Sequence, residues 1–211
     1  MFLFRRRQRP DGDDLGTAVV LDVETTGLSP RRDEVIELAM ILFRFDSTGK
    51  VVRGSVEEYV GLREPSIPIP PEATRVHGLT MEDVAGRRLD EKRVLSMARR
   101  ADYLIAHNAR FDRPFVERLL PVAFRRKHWL CTCHDVDWRA RGLASKNLAA
   151  VARHHRIRHD QAHRALGDAR ATFALLSLAG VNGGTLLGEL LARHKRKIER
   201  RAPAARRASA K

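Results

Sequence analysis

Asp22 and Glu24 stand two residues apart at the end of the apolar run Thr17–Val23. In a strand, residues i and i+2 point to the same face, so both carboxylates project to one side. Carboxylates crowded at the poorly solvated end of an apolar strand repel each other, and one takes up a proton unless a cation lies between them. A divalent ion, which favours hard oxygen ligands, meets that need. A strand that merely ends in solvated polar residues is the plainer alternative. Asp112 follows Ala106–Phe111, where a short apolar stretch runs into a polar turn and then a helix. Ligands commonly sit at such strand ends in α/β sheets, although an acid in a first helical turn is also favoured by the helix dipole. His163 and Asp168 are five residues apart, one more than the spacing that stacks side chains on one helix face. This places His163 in or beside the loop entering a helix and Asp168 on its first turns; a capping histidine and a solvent-facing aspartate is the alternative. Together, four carboxylates and a histidine from three distant segments are the components of two-metal phosphodiester hydrolysis. Ions about 3.5–4 Å apart activate a water and stabilise the leaving oxygen, and a histidine, which titrates near neutrality, accepts the water proton.

The elements that must position these groups read as follows. Thr17–Val23, Val35–Phe45 and Val51–Val60 have strand character, and the Ser47–Lys50 turn suggests a hairpin between the last two. Pro65–Pro71 contains four prolines and reads as extended loop. Helical patterning follows around Met81–Ala85 and Glu91–Arg100. Tyr103–Ala106 is a short strand, Pro114–Leu120 lies on the helix after it, and Trp129–Thr132 is the last strand. Lys146–His155, His163–Leu178 and Thr185–Lys197 read as helices. Three strands, then strands alternating with helices, predict a mixed sheet covered by helices, an α/β domain.

A chain of 211 residues favours one domain with tails, and a core of roughly 150–170 residues folds alone. The net charge of +14 is unevenly spread. Residues 1–10 carry Arg5, Arg6, Arg7 and Arg9 and no acid, and residues 193–211 carry nine basic residues against Glu199. The expected organisation is a basic arm at 1–14, a nearly neutral domain at 15–192 and a basic, alanine-rich tail at 193–211. Such arms attract polyanions by counterion release without sequence specificity; solvated tails are the alternative. Two cysteines, Cys131 and Cys133, are too few for a disulfide framework and read as buried reduced thiols, which suits a cytoplasmic location. The longest uncharged run, Ala171–Gly188, is broken by Asn182 and by Gly180, Gly183 and Gly184, so no membrane partner is expected. The charges after Phe2-Leu3-Phe4 argue against a secretory signal.

At the acidic residues the sequence resembles the DEDDh (DnaQ-like) 3′→5′ exonucleases of the ribonuclease H-like fold, over roughly Thr17–Leu178. The segments that carry the resemblance are VVLDVETTGL, EVIELA with Glu37, IPPEATRVHGLT, LIAHNARFDRPFV and HRALGDA. The resemblance implies a mixed sheet of about five strands with helices on both sides. It implies that Asp22 bridges two Mg²⁺ or Mn²⁺ ions, that Glu24 and Asp168 complete the tighter site, that Asp112 holds the second ion, and that His163 is the base. It further implies that the backbone near Thr25 and Thr26, and the Val76-His77 segment, grip the terminal nucleotide. Asn108 and Phe111 are further candidates for substrate contact, set against a turn-organising and a core role. Glu37 reads either as a strand-end polar residue or as support for the site. His154, His155 and His159 are expected at a helix end and its following loop. The expected activity is removal of nucleoside 5′-monophosphates from single-stranded or frayed 3′ ends of DNA. The alternatives are an RNA 3′ trimmer and a proofreading subunit partnered with a DNA polymerase.

Overall fold

The computed structural model describes residues 16–201 apart from Asn182. In chain order its elements are β1 (Gly16–Thr25), β2 (Val35–Phe45), β3 (Glu57–Leu62), α1 (Pro71–His77), α2 (Met81–Val84), α3 (Glu91–Arg100), β4 (Tyr103–Ala106), α4 (Ala109–Leu119), α5 (Pro121–Phe124), β5 (His128–Cys131), α6 (Leu148–His154), α7 (Ala165–Leu175) and α8 (Leu186–Arg201). The strands form one sheet in the order β3-β2-β1-β4-β5. β1 is antiparallel to β2 and parallel to β4, and β4 is parallel to β5.

Side chains alternating along β1 feed two cores. Val19, Leu21 and Val23 join Val94, Met97, Phe115 and Phe124 from the α3–α5 side. Ala18 and Val20 join Val151, Ala165, Ala169, Leu175 and Leu187 from the α6–α8 side. Covering both faces explains why β2 reads as a nearly unbroken apolar run: ten of its eleven residues are buried, and the one charge among those ten is Glu37.

Several elements depart from the sequence reading, among them α5, which it did not contain. The third strand begins at Glu57 rather than Val51; Val51 makes only an isolated bridge to Phe45, and Gly54 at φ +69° turns the chain out of the ladder. The stretch read as proline-rich and substrate loop contains α1. Pro71 opens that helix with φ already preset, and Gly78 closes it at φ +75°. α8 runs unbroken from the core to Arg201, across the expected start of the basic tail at 193. The arm at 1–14 and the tail from 202 on lie outside the described residues.

Candidate active site

β1 and β4 run in the same direction, so their C-terminal ends open on one edge of the domain. Asp22 and Glu24 are the last two inward positions of β1 on the face that packs against α7. That face is lined by small residues: Ala18 and Ala39 from the sheet, Ala165, Ala169 and Thr172 from the helix. Asp168 falls within this i, i+3, i+4, i+7 stripe of α7, so the close helix–sheet approach carries it down onto the strand. Ligand oxygens of Asp22, Glu24 and Asp168 lie within 4.8 Å of one another. Asp112 comes from the other face, in the first turn of α4 just beyond β4, with 3% exposure.

Arg164 offsets Glu24 only as the least of the charges acting on it, and His159 meets Asp168, so the four carboxylates keep an excess of negative charge. Burial and the charge of Asp112 push the Asp22 carboxyl well above the usual carboxylate range. Burial and the charge of Asp168 raise Glu24 to about 8, and burial raises Asp112 to about 7. Hard oxygen donors, close spacing and an unmet negative charge are what a divalent cation requires. Asp22, Glu24 and Asp168 therefore fit such an ion, and the charge of Asp112 acts on Asp22 from the other face.

The third segment is held by contacts that sequence spacing did not reveal. His163 is not helical: it sits in the turn before α7 at φ +62°, a backbone region that costs roughly 1–3 kcal/mol in a non-glycine residue and needs external support. Glu37 supplies that support. Its carboxylate, 2% exposed, accepts both Arg164 Nη2 at 2.7 Å and Nε at 3.1 Å, and the Ala165 backbone N–H at 2.9 Å. Glu37 thus ties the start of β2 to the residues following His163. Asp168 Oδ1 in turn accepts the His163 backbone N–H at 3.2 Å and lies 2.6 Å from His159 Nε2. His159 lies in the loop after α6, as expected, and there it touches a candidate metal ligand. Gly167 lets this loop lie directly on α7, because a Cβ there would come within 2.1 Å of the Gln161 carbonyl oxygen.

The remaining candidates divide by what their side chains do. Thr25 donates to the Gly27 carbonyl, and Thr26 accepts from Glu34 N–H, so both hydroxyls hold the β1–β2 turn. His77 is buried, and its Nδ1 accepts from Leu79 N–H, which puts the ring proton of the neutral form on Nε2; burial lowers its pKa. Its neighbour Val76 is 55% exposed, as is Leu28, at 84%, two residues past Thr26. Leu28 was absent from the candidates read from sequence, and only its exposure singles it out. Phe111 packs on Phe115 at 5.1 Å and belongs to the core side. Asn108 opens α4 and meets His134 Nε2 at 3.2 Å, while Lys146 Nζ reaches His134 Nδ1 at 3.0 Å. His107 is buried and organises the turn, spanning Thr132 Oγ1 and the Lys146 carbonyl. Both cysteines are free and buried.

Comparison with known proteins places the chain in a nuclease family. The profile of the RNase_T family, described as exonuclease, matches residues 19–176. A PolC-type DNA polymerase III of Thermotoga maritima is 30% identical over 171 residues, covering 74% of this chain and 11% of the polymerase. The 3′-5′ exonuclease DinG of Bacillus subtilis is 29% identical over 162 residues, covering 73% of this chain and 16% of DinG. The chain thus spans less than a fifth of these curated relatives. Exonuclease X, solved in complex with 5′ overhanging duplex DNA, superposes with a TM-score of 0.57 at 25% identity, covering 81% of this chain and 99% of that one.

Proposed function

The chain belongs to the RNase_T exonuclease family, with a ribonuclease H-like fold, and on that premise we propose that it is a two-metal 3′→5′ exonuclease acting on single-stranded or frayed 3′ ends of DNA. The observation that carries this reading is the convergence of Asp22, Glu24 and Asp168 within 4.8 Å beside buried Asp112. Asp22, Glu24 and Asp168 would hold one Mg²⁺ or Mn²⁺, and Asp22 with Asp112 a second. When bound, such ions acidify the attacking water and neutralise the leaving oxygen.

The chain's own residues supply the rest. His163, exposed at the rim beside Asp168, takes the proton from the water. The water oxygen bonds to phosphorus, the bond from phosphorus to the 3′ oxygen breaks, and that oxygen takes a proton from solvent to become the new 3′ hydroxyl. The product is a nucleoside 5′-monophosphate. Val76 and Leu28 offer exposed apolar surface for the terminal base, and the Val76-His77 and Thr25-Thr26 segments frame it. DNA is favoured over RNA because the PolC-type relative and Exonuclease X are named for DNA synthesis or for a DNA complex.

The deciding experiment is degradation of 3′-labelled DNA and RNA oligonucleotides, single- and double-stranded, with Mg²⁺ or Mn²⁺. Stepwise release of monophosphates from the 3′ end of DNA, abolished in Asp22→Ala, is the expected result. Cleavage that persists in that variant overturns the metal assignment. The PolC-type relative favours a second reading, in which the domain proofreads beside a polymerase; stable co-purification with a polymerase at high salt would raise it.

A further inference from the structure

The strands that carry the acidic site begin at the opposite end of the domain. Ala18, Tyr103 and His128 lie side by side in register there, at or near the starts of β1, β4 and β5. α8 crosses this end. Its His194 Nε2 lies 3.2 Å from His128 Nδ1, and its ring stands edge-on to Tyr103 at 5.8 Å. Beyond His194 the helix continues with Lys195, Arg196 and Lys197, all exposed. The fold brings a second basic run beside it: Arg125 and Arg126, exposed, shortly before His128. Among the described residues these five side chains make no ion pair; the neighbouring Arg193 only approaches Asp135, at 4.0 Å.

The fold therefore concentrates unneutralised cations at one place, against their mutual repulsion; like charges four apart, such as Arg193 and Lys197, also weaken the helix that bears them. Asp22 is four residues along β1 from Ala18, about 13 Å at ~3.3 Å per residue, and β5 lies two strands across, roughly 10 Å. The cations thus stand on the order of 15–25 Å from the acidic site and cannot touch the nucleotide being removed.

We propose that this α8–β5 face docks the phosphate backbone of nucleic acid several nucleotides away from the 3′ end held at the acidic site. The proposal rests on the exonuclease reading. Duplex DNA offers one negative charge per ~1.7 Å, matching a dense, exposed and unpaired cationic row. An anionic membrane surface fits less well, because a membrane-lying helix needs a free apolar face. In α8, Leu186, Leu187 and Leu190 are buried in the core, and Ile198 is the one large apolar side chain of this helix exposed among the described residues.

The test compares the protein with a variant carrying Arg126→Gln, Lys195→Gln, Arg196→Gln and Lys197→Gln. On a trinucleotide, too short to reach the face, kcat/KM stays unchanged. On a long duplex with a frayed 3′ end, kcat/KM falls about 10-fold near physiological salt, and the slope of its logarithm against log salt flattens by about 3. An unchanged slope on the long substrate overturns the proposal, as does an equal loss on the trinucleotide. Equilibrium binding of the same duplex by Asp22→Asn protein, with and without the four substitutions, reads the face even if no cleavage is found, so failure of the exonuclease reading stays separate. If the four substitutions abolish binding to phosphatidylserine vesicles and leave duplex binding intact, the face belongs to a membrane and the proposal falls.

Discussion

The two ends of the sheet carry opposite and differently built charge. At the end where β1 and β4 finish, carboxylates are packed within 4.8 Å, shielded from water and forced towards protonation. At the end where β4 and β5 begin, cations sit on exposed helix and loop, spread along several turns. Buried, converging charge is costly and selects a small ion with defined ligands. Exposed, extended charge costs little in water and selects a long polyanion by counterion release. One end is thus suited to chemistry and the other to grip.

The sharpest break of this contrast is Asp22→Asn. Activity should fall by several orders of magnitude, while the metal-free protein becomes more stable at pH 8 because a buried repulsion is removed. Calorimetry showing a less stable metal-free variant there would mean that the carboxylates are already neutralised by something else. His163→Ala should lower kcat by about 10²–10⁴-fold and leave Mn²⁺ binding intact by isothermal titration; an undiminished kcat removes its role as base. Glu37→Gln keeps the shape of the side chain but weakens its hold on Arg164 and the Ala165 N–H. It should cost about 10–100-fold in kcat or metal affinity with KM for a short oligonucleotide little changed, since Glu37 reaches no substrate. A rise in KM alone would point instead to a role in binding.

The smallest effect is one of pH on stability. Glu24 and Asp112 have folded pKa values of about 8 and about 7, above their ordinary values of 4.5 and 3.8. Raised acids hold more protons folded than unfolded, so their favourable contribution is complete below about pH 4 and is lost as pH rises through 7 to 8. The melting temperature of metal-free protein should decline across that window, and excess Mg²⁺ should flatten the decline, because binding replaces protons with an ion. A melting temperature independent of Mg²⁺ at pH 8 would argue against ion binding by this group.

Much of this was legible in the residues themselves. The period-2 pair Asp22 and Glu24, the strand–turn–helix around Asp112 and the His163–Asp168 spacing each rest on local geometry, and local geometry follows from neighbours in the chain. β2 was legible to the residue, because a strand buried on both faces writes itself as a continuous apolar run. α1 was missed although Pro71 and Gly78 mark its ends, because four prolines in Pro65–Pro71 outweighed them in the reading. The strand expected from Val51 was cut short by Gly54, whose positive φ takes the chain out of the ladder before Glu57.

By itself, then, the chain's order of residues determined most of the element types, the α/β class and the identities of the acids that could share an ion. Only the tertiary structure decided that Glu37 grips Arg164 across 127 positions, that His159 rather than open solvent meets Asp168, and that α8 brings its cations beside Arg125 and Arg126 at the end remote from the acids. The reason is physical. Strand and helix periods follow from the backbone and are written locally. Which distant charge meets which depends on how small residues such as Ala165 and Ala169 let one helix settle on one face of the sheet, and no spacing along the chain encodes that distance.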